Sequence, residues 1–239
     1  MADQEEARRL LAGWIRQQKK DGVERVVLDR DTLRKEAAPA VAAESPPVIE
    51  KPAEDSSPLE DLHRKIAACS SCGLAETRTQ TVPGVGNSRA KLVFVGEAPG
   101  ADEDRLGVPF VGRGGQLLDK ILAAIDLRRE DVYICNILKC RPPENRNPAA
   151  DEILACSPFL RQQLEVLEPK IIVALGLFAA QWLTGQKKSL TKLRETGPHE
   201  YAGIRVYATY HPAALLRNPN WKRPAWDDFQ AIRKEYDRQ

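Results

Sequence analysis

The sequence lacks any long hydrophobic run, and this absence limits where the protein works. No apolar stretch in its 239 residues approaches the roughly 20 residues that a membrane-spanning helix needs. Its first residues, MADQEEARRL, are acidic and polar, whereas a secretory leader is basic and then apolar. The sequence therefore predicts a soluble, cytoplasmic protein that has no membrane partner. We also expect the protein to act as a monomer.

Cysteine is scarce and odd in number, which argues against a disulfide framework. Of the five cysteines, Cys69 and Cys72 form a CxxC pair, and Cys140 and Cys156 complete the spacing C-x2-C-x67-C-x15-C. Four thiolates from distant segments can close around zinc or around an iron-sulfur cluster. Ordinary burial is the alternative for Cys140 and Cys156. The spacing alone does not choose between these alternatives.

A strong net charge is also missing. The formal net charge is +2, with residues 1–60 slightly acidic and the remainder slightly basic. Any contact with nucleic acid must therefore come from local basic patches and not from a uniformly basic surface.

Composition divides the chain into three parts. Residues 1–35 include an amphipathic helix over residues 4–20, which either docks a protein partner or is a solvated leader. Residues 36–58 hold five prolines and no aromatic residue, which predicts a flexible linker. Residues 59–239 are expected to form the catalytic domain.

The third part alternates apolar β-rich runs with helical patterns. KLVFVG, VYICNIL, KIIVALG and IRVYATYHP have the composition of buried parallel strands, and amphipathic segments separate them. This alternation predicts an α/β fold, a three-layer α/β/α sandwich around a central four-stranded parallel sheet. Ligands bind at the carboxyl ends of the strands in such sheets, so the residues just after each strand should line one cleft.

Side chains suited to a flat ligand follow three of these strands. Glu97 ends the first strand, and Phe110 lies on the Gly- and Pro-rich loop after it. Asn136 and His211 end the second and fourth strands. An aromatic ring can stack on a base and an amide can read its edge, although Phe110 could equally anchor its loop and Asn136 could cap a turn.

Three motifs in order closely resemble the family 4 uracil-DNA glycosylases, the iron-sulfur branch of the uracil-DNA glycosylase superfamily. They are GEAPGADEDRLGVPFVGRGGQLLDKIL, NILKCRPPENRNP and YHPAALLRNP. The similarity runs from about Leu59 to the C-terminus. It implies the superfamily fold and a structural [4Fe-4S] cluster on Cys69, Cys72, Cys140 and Cys156. The resemblance, and not the spacing, favours iron-sulfur over zinc. Cys135 matches no ligand position of the family and is expected in the core.

The resemblance also implies a reaction and roles for residues. Uracil-containing DNA is the expected partner, and the enzyme would flip uracil out of the helix and hydrolyse its N-glycosidic bond, leaving an abasic site. Phe110 would stack on uracil, Asn136 would pair with its polar edge, and Glu103 would help to exclude thymine. His211 would stabilise charge on the uracil carbonyl, and Glu97 would position water or stabilise the cationic sugar.

Further residues are expected near the DNA. Asn145 resembles a position close to the active site. The segment from His211 to Arg223 has basic residues and no acidic one, and one of its two leucines could wedge into the base stack or both could pack inside. The candidates for DNA contact are Leu215, Leu216, Arg217, Lys222 and Arg223.

Two rival functions are compatible with the same residues. One is a glycosylase for other deaminated bases, and the other is a metal-stabilised module that binds damage without catalysis. No lysine in the motifs is suited to attack the sugar, which favours a monofunctional glycosylase. The loop RPPENRNPAADE is short and lacks the basic insertion of relatives that stay attached to DNA, so turnover is expected.

Overall fold

The structure is a computed structural model that describes residues 57–239. The amphipathic helix predicted at residues 4–20 and nearly all of the predicted linker lie outside the described residues. The first helix, α1, spans Pro58–Ala67, and Ser57 caps it through a reciprocal pair of hydrogen bonds with Glu60. The domain boundary predicted at residue 59 therefore falls one residue inside a helix.

The four predicted parallel strands are confirmed. They are Leu92–Gly96 (β2), Tyr133–Asn136 (β3), Ile171–Leu175 (β4) and Ile204–Thr209 (β6). Parallel pairing joins β3 to β2, β2 to β4 and β4 to β6. Gly96 pairs with Asn136, and Leu175 pairs with Thr209, so the carboxyl ends of all four strands meet at one end of the sheet.

Two short antiparallel strands extend this sheet beyond the prediction. Val85–Gly86 (β1) pairs with β3 at one edge, and His199–Tyr201 (β5) pairs with β6 at the other. The described sheet thus has six strands in the order β1-β3-β2-β4-β6-β5. Strands of two and three residues have too little periodicity to be recognised in a sequence.

Helices cover both faces of the sheet, which confirms the three-layer α/β/α arrangement. The further helices are α2 (Leu74–Thr77), α3 (Ala101–Leu106), α4 (Arg113–Ala124), α5 (Ala150–Leu167), α6 (Leu177–Thr184), α7 (Leu190–Thr196), α8 (Pro212–Arg217) and α9 (Lys222–Tyr236). Single 3₁₀ turns lie at Arg129–Asp131, Pro143–Asn145 and Pro219–Trp221.

Alternate residues of each strand divide the core into two layers. Val93 and Val95 of β2 pack with residues of α5 and α6 on one face, whereas Leu92 and Phe94 pack with residues of α4 and α9 on the other. The central strands β2 and β4 are fully buried, as their unbroken apolar sequences require. Within residues 57–239 no helix is both long enough and apolar enough to span a bilayer.

Candidate active site

An open cleft of about 770 Å³ lies at the carboxyl end of the sheet. Its size is typical of small-molecule sites, which span roughly 300–1,000 Å³. The end of β2, the loop before α4, the end of β3 and the start of α8 all contribute to its walls. Seven predicted site residues line it: Glu97, Glu103, Phe110, Asn136, Asn145, His211 and Arg217.

Asn136 presents a buried acceptor to this cleft that has no partner. The residue is only 2% exposed, and its Oδ1 makes no hydrogen bond to any part of the chain between residues 57 and 239. Leaving a buried carbonyl oxygen unpaired costs about 1–3 kcal/mol. Such an orphan at a cleft indicates that a ligand group completes its hydrogen bonding.

Gly96 provides the room for this arrangement. A Cβ at Gly96 would lie 2.6 Å from Phe110 Cζ and would also overlap the Asn136 amide. The last residue of β2 must therefore lack a side chain if the ring and the amide are to approach each other.

Phe110 is held in a backbone conformation that is rare for a bulky residue. Its φ is 55°, in the left-handed region, and its ring is nearly buried. Arg129 donates to the carbonyls of Pro109 and Phe110, and Asp119 holds Arg129 through a 2.6 Å contact. Arg129 was not predicted from the sequence, because nothing local marks a residue that supports a loop 19 positions earlier.

Glu103 organises the same loop through its carboxylate. Its Oε1 accepts hydrogen bonds from the N–H groups of Val111 and Gly112, both at 2.9 Å, and its Oε2 accepts one from Gly100 at 3.1 Å. The residue therefore ties α3 to the segment that follows Phe110. Although it lines the cleft, its carboxylate is already engaged, so any role in excluding thymine acts through the loop that it holds.

His211 begins α8 and points one ring nitrogen at the backbone. Its Nδ1 accepts a hydrogen bond from Ala213 N–H at 3.2 Å, so the neutral ring carries its proton on Nε2. Burial, aided by Arg217, lowers the pKa of His211 to about 4. The imidazole stacks on the Phe110 ring with centroids 5.3 Å apart. At neutral pH it is therefore an uncharged donor beside an aromatic ring.

Glu97 is a half-buried carboxylate at the end of β2. Burial raises the pKa of Glu97. No hydrogen bond or ion pair from residues 57–239 reaches its side chain, while its backbone carbonyl accepts from Leu138 N–H at 3.0 Å. Its backbone is thus held by a hydrogen bond, whereas its carboxylate oxygens make none within residues 57–239. Such a carboxylate can orient water or stabilise a developing cation.

The predicted DNA-contacting residues separate into two groups. Leu215 is 2% exposed and packs with Tyr210 and Ala225, so the prediction that it could wedge into DNA is corrected: it is a core residue. Leu216 is 38% exposed and is the leucine available on the surface. Arg217, Lys222 and Arg223 are exposed, and Arg223 is within 3.4 Å of Asp227.

The remaining predicted residue, Asn145, lies at the rim. It is exposed, has a φ of 54°, and its Oδ1 accepts from Arg141 Nε at 2.8 Å. It is thus part of the cleft wall, but its side chain is exposed to solvent.

Four cysteines lie around a second, smaller cavity. Cys69, Cys72, Cys140 and Cys156 all line it, whereas Cys135 is buried in the core. Among the residues that the structure covers, no three His, Cys, Asp or Glu side chains are arranged as ligands of a single metal ion.

Backbone and side-chain donors point at three of these sulfurs. Lys139 N–H donates to Cys156 Sγ at 3.2 Å, Arg78 Nη1 to Cys140 Sγ at 3.3 Å and Ser71 N–H to Cys69 Sγ at 3.5 Å. Donors of this kind stabilise thiolates, so the donor set suits a group held by four Cys ligands.

A buried lysine connects the two cavities. Lys139 is 1% exposed, and its Nζ donates to the Asn136 carbonyl and to Gln163 Oε1, both at 2.6 Å. Burial lowers the pKa of Lys139. Because Lys139 immediately precedes Cys140, the backbone of the amide that faces the first cleft is tied to the wall of the second.

Comparisons with known proteins agree with these features. Residues 83–230 match the model of the Uracil DNA glycosylase superfamily. A type-4 uracil-DNA glycosylase of Archaeoglobus fulgidus is 47% identical over 185 residues, covering 73% of this chain and 91% of its own length. The type-4 enzyme of Thermotoga maritima is 47% identical over 161 residues, covering 67% and 84%.

A type-5 enzyme is more distant. The type-5 uracil-DNA glycosylase of Pyrobaculum aerophilum is 37% identical over 153 residues, covering 57% of this chain and 67% of its own length. The chain therefore belongs to the uracil-DNA glycosylase superfamily and, within it, to the type-4 family.

Proposed function

We propose that this protein releases uracil from DNA by hydrolysing the bond between the base and deoxyribose. The observation that carries the proposal is the unpaired, buried Asn136 Oδ1 in a cleft that also holds Phe110, His211 and Glu97. Its relatives are named for this activity. The product is an abasic site, and the process is the first step of base excision repair.

Recognition follows from the chemistry of the amide. Uracil presents an N–H donor flanked by carbonyl acceptors, and an amide supplies one acceptor and one donor in matching order. Cytosine presents an amino group and an unprotonated ring nitrogen at the same edge. It would leave Asn136 mispaired in a buried position, and a site that depends on such hydrogen bonds rejects the wrong base strongly.

Bond cleavage leaves negative charge on uracil and positive charge on the sugar. The Nε2–H of His211 is the donor that stabilises the developing charge on a uracil carbonyl, an effect typically worth about 3–4 kcal/mol. A neutral donor suits this role because it keeps its proton when the anion leaves. Glu97, once ionised, stabilises the cationic sugar or orients the attacking water.

The four cysteines of the second cavity are assigned to a [4Fe-4S] cluster. Their shared cavity and the N–H groups directed at their sulfurs support the assignment. Cysteine ligands bind as thiolates, so cluster binding would release the protons of these thiols. The cluster would hold α1, α2 and α5 together near the DNA surface, while Glu97 and His211 perform the reaction.

The DNA lies across Leu216, Arg217, Lys222 and Arg223 in this proposal. Their exposure supports it, and Asn145 would contact the strand at the cleft rim. The described lining of the cleft includes no lysine, consistent with a monofunctional glycosylase. Monomeric state, cytoplasmic location and a protein partner for residues 1–35 stay predictions.

Release of free uracil from a labelled oligonucleotide tests the proposal. The wild-type protein should release uracil, and matched strands containing cytosine, thymine or hypoxanthine identify its lesion range. His211→Asn and Glu97→Gln should each reduce the single-turnover rate at least 100-fold while leaving DNA affinity within about twofold. Binding without release from any strand would instead favour a non-catalytic damage-binding module.

A further inference from the structure

Arg194, Tyr210 and Trp221 form a three-layer stack beside the cleft. The Tyr210 and Trp221 rings are nearly parallel, at 9°, with centroids 4.9 Å apart. The Arg194 guanidinium carbon lies 4.4 Å from the Tyr210 centroid. A parallel indole leaves no room for a guanidinium on the same face, so Arg194 and Trp221 cover opposite faces of the tyrosine.

The inner layers of this stack are held in place by hydrogen bonds. Arg194 makes a bidentate ion pair with Asp228 at 2.7 and 2.8 Å, and its Nη2 donates to the Pro224 carbonyl at 2.9 Å. Thr209 Oγ1 donates to the same aspartate at 2.6 Å. Tyr210 is only 7% exposed. The position of Trp221 is thus supported from beneath by partly buried, charge-assisted hydrogen bonds.

The outer layer is open to solvent and faces the proposed DNA site. Trp221 is 38% exposed and lines the same cleft as Phe110 and His211. Arg217, a phosphate-binding candidate, lines that cleft too. A rigid, exposed aromatic face beside a cationic side chain is the arrangement with which proteins stack unpaired bases along a strand.

We propose that Trp221 is a stacking platform for a base adjacent to the extruded uracil, an inference that rests on the proposed function. A base inside a duplex already stacks on its two neighbours, so it gains little from an additional ring. An unpaired base gains a full stacking contact, about 5- to 100-fold in affinity. Trp221 therefore favours uracil in single-stranded DNA over uracil in a duplex.

Steady-state uracil release by the full-length protein tests this inference. Trp221→Ala should raise KM for a single-stranded uracil oligonucleotide about 5- to 100-fold and leave kcat unchanged, with a smaller rise for the duplex. Trp221→Phe should retain most of the affinity. Leu154→Ala is the matched control, because Leu154 is 77% exposed on α5 and does not line the cleft.

A second measurement locates the base that stacks. The base on the 5′ or the 3′ side of uracil is replaced, one at a time, by an abasic spacer. One spacer should weaken wild-type binding by the same factor as Trp221→Ala and should not weaken the variant further. Additive losses, or equal losses on single-stranded and duplex substrates, would overturn the inference.

A binding assay distinguishes failure of the Trp221 platform from failure of the proposed function. Binding of a uracil-free single strand is measured in parallel, because stacking on Trp221 does not require catalysis. If the wild-type protein releases no uracil but Trp221→Ala still loses affinity for this strand, the platform stands and the glycosylase assignment falls. If uracil is released and no Trp221 effect appears in either assay, the platform alone is excluded.

Discussion

At the scale of single residues, two polar groups of the site lack the hydrogen bond or the ion pair that such groups usually make in a folded protein. Asn136 Oδ1 has no hydrogen-bond partner, and Glu97 has a carboxylate without a counter-ion among residues 57–239. Both arrangements lower the stability of the free protein. Both also keep the polar atoms available for a ligand, which is a common relation between stability and activity at binding sites.

Asn136→Ala should separate these two effects. Uracil release should fall at least about 100-fold, because the variant cannot read the base edge. The free energy of unfolding should change by no more than about 1 kcal/mol, because the substitution also removes an unpaired buried oxygen. Single-turnover kinetics and urea denaturation measure the two quantities. A loss of several kcal/mol would show that the amide has a structural partner.

His211 should make stability depend on pH. Its pKa is about 4 in the folded protein and 6.5 in the reference state. Between these values the unfolded chain binds more protons, so stability rises as pH increases through this window. From pH 5 to pH 7 the residue should add about 2 kcal/mol to the free energy of unfolding. His211→Asn should remove that part of the slope in urea titrations, and an unchanged slope would contradict the low pKa.

The sequence predicted that the proposed catalytic and base-binding residues share one cleft. It did not predict the residues that hold them in position. Phe110, Asn136 and His211 follow strands or lie on a strand-end loop, and fold topology brings such positions together. Arg129 and Lys139 act on backbone carbonyls, which any long basic side chain can do. Leu215 and Leu216 are identical in type and adjacent, so only the rotation of α8 reveals which one is buried.

At the scale of elements, the loop from α3 to α4 behaves as one unit. Glu103 accepts from Gly100, which precedes α3, and from Val111 and Gly112 at the end of the loop, and Arg129 fixes the carbonyls in its middle. Phe110 is thereby held in its left-handed conformation before any ligand arrives. Such preorganisation reduces the entropic cost of binding a base, because the loop is already ordered.

Glu103→Ala should loosen this loop, and Asp102→Ala is its matched control. The first substitution removes a half-buried acceptor of three hydrogen bonds and should cost about 2–4 kcal/mol of stability and raise KM for uracil-containing DNA. Asp102 is the neighbouring acid on α3 and contacts Arg105 on the surface at 3.6 Å. Its removal should change stability by no more than about 0.5 kcal/mol. Equal effects in urea denaturation would exclude the loop function of Glu103.

At the scale of the whole molecule, two cavities share one backbone segment. The residues from Asn136 to Cys140 border the cleft at one end and the cysteine cavity at the other. The cysteines also join segments far apart in sequence, since two follow α1 and one lies in α5. A cluster there would restrain α1 and α2 against the sheet.

Loss of a cysteine ligand should therefore first destabilise the helices next to the cysteine cavity, and only then the whole domain. Cys72→Ser should reduce bound iron and speed hydrogen exchange in residues 58–78, whereas Cys135→Ser should keep its iron. Iron analysis and exchange mass spectrometry provide the readouts. Full iron content in Cys72→Ser would contradict the proposed ligand set.

The parallel sheet was predictable because each of its strands is a separate apolar run. The edge strands β1 and β5 were not, because pairing with a neighbour, rather than sequence, defines a strand of two or three residues. The spacing of the four cysteines indicated a metal or cluster site, but only the family resemblance favoured iron-sulfur over zinc, since the same spacing also suits zinc.

Gly96 has a consequence for how such a protein can change over generations. A single added carbon at this position meets both the ring and the amide of the cleft. The surface around Trp221 lies on other elements and would be untouched by that substitution. One codon change at Gly96 should therefore block binding of the base in the cleft and leave the surface around Trp221 intact. The resulting protein would still bind a DNA strand but would no longer release uracil from it.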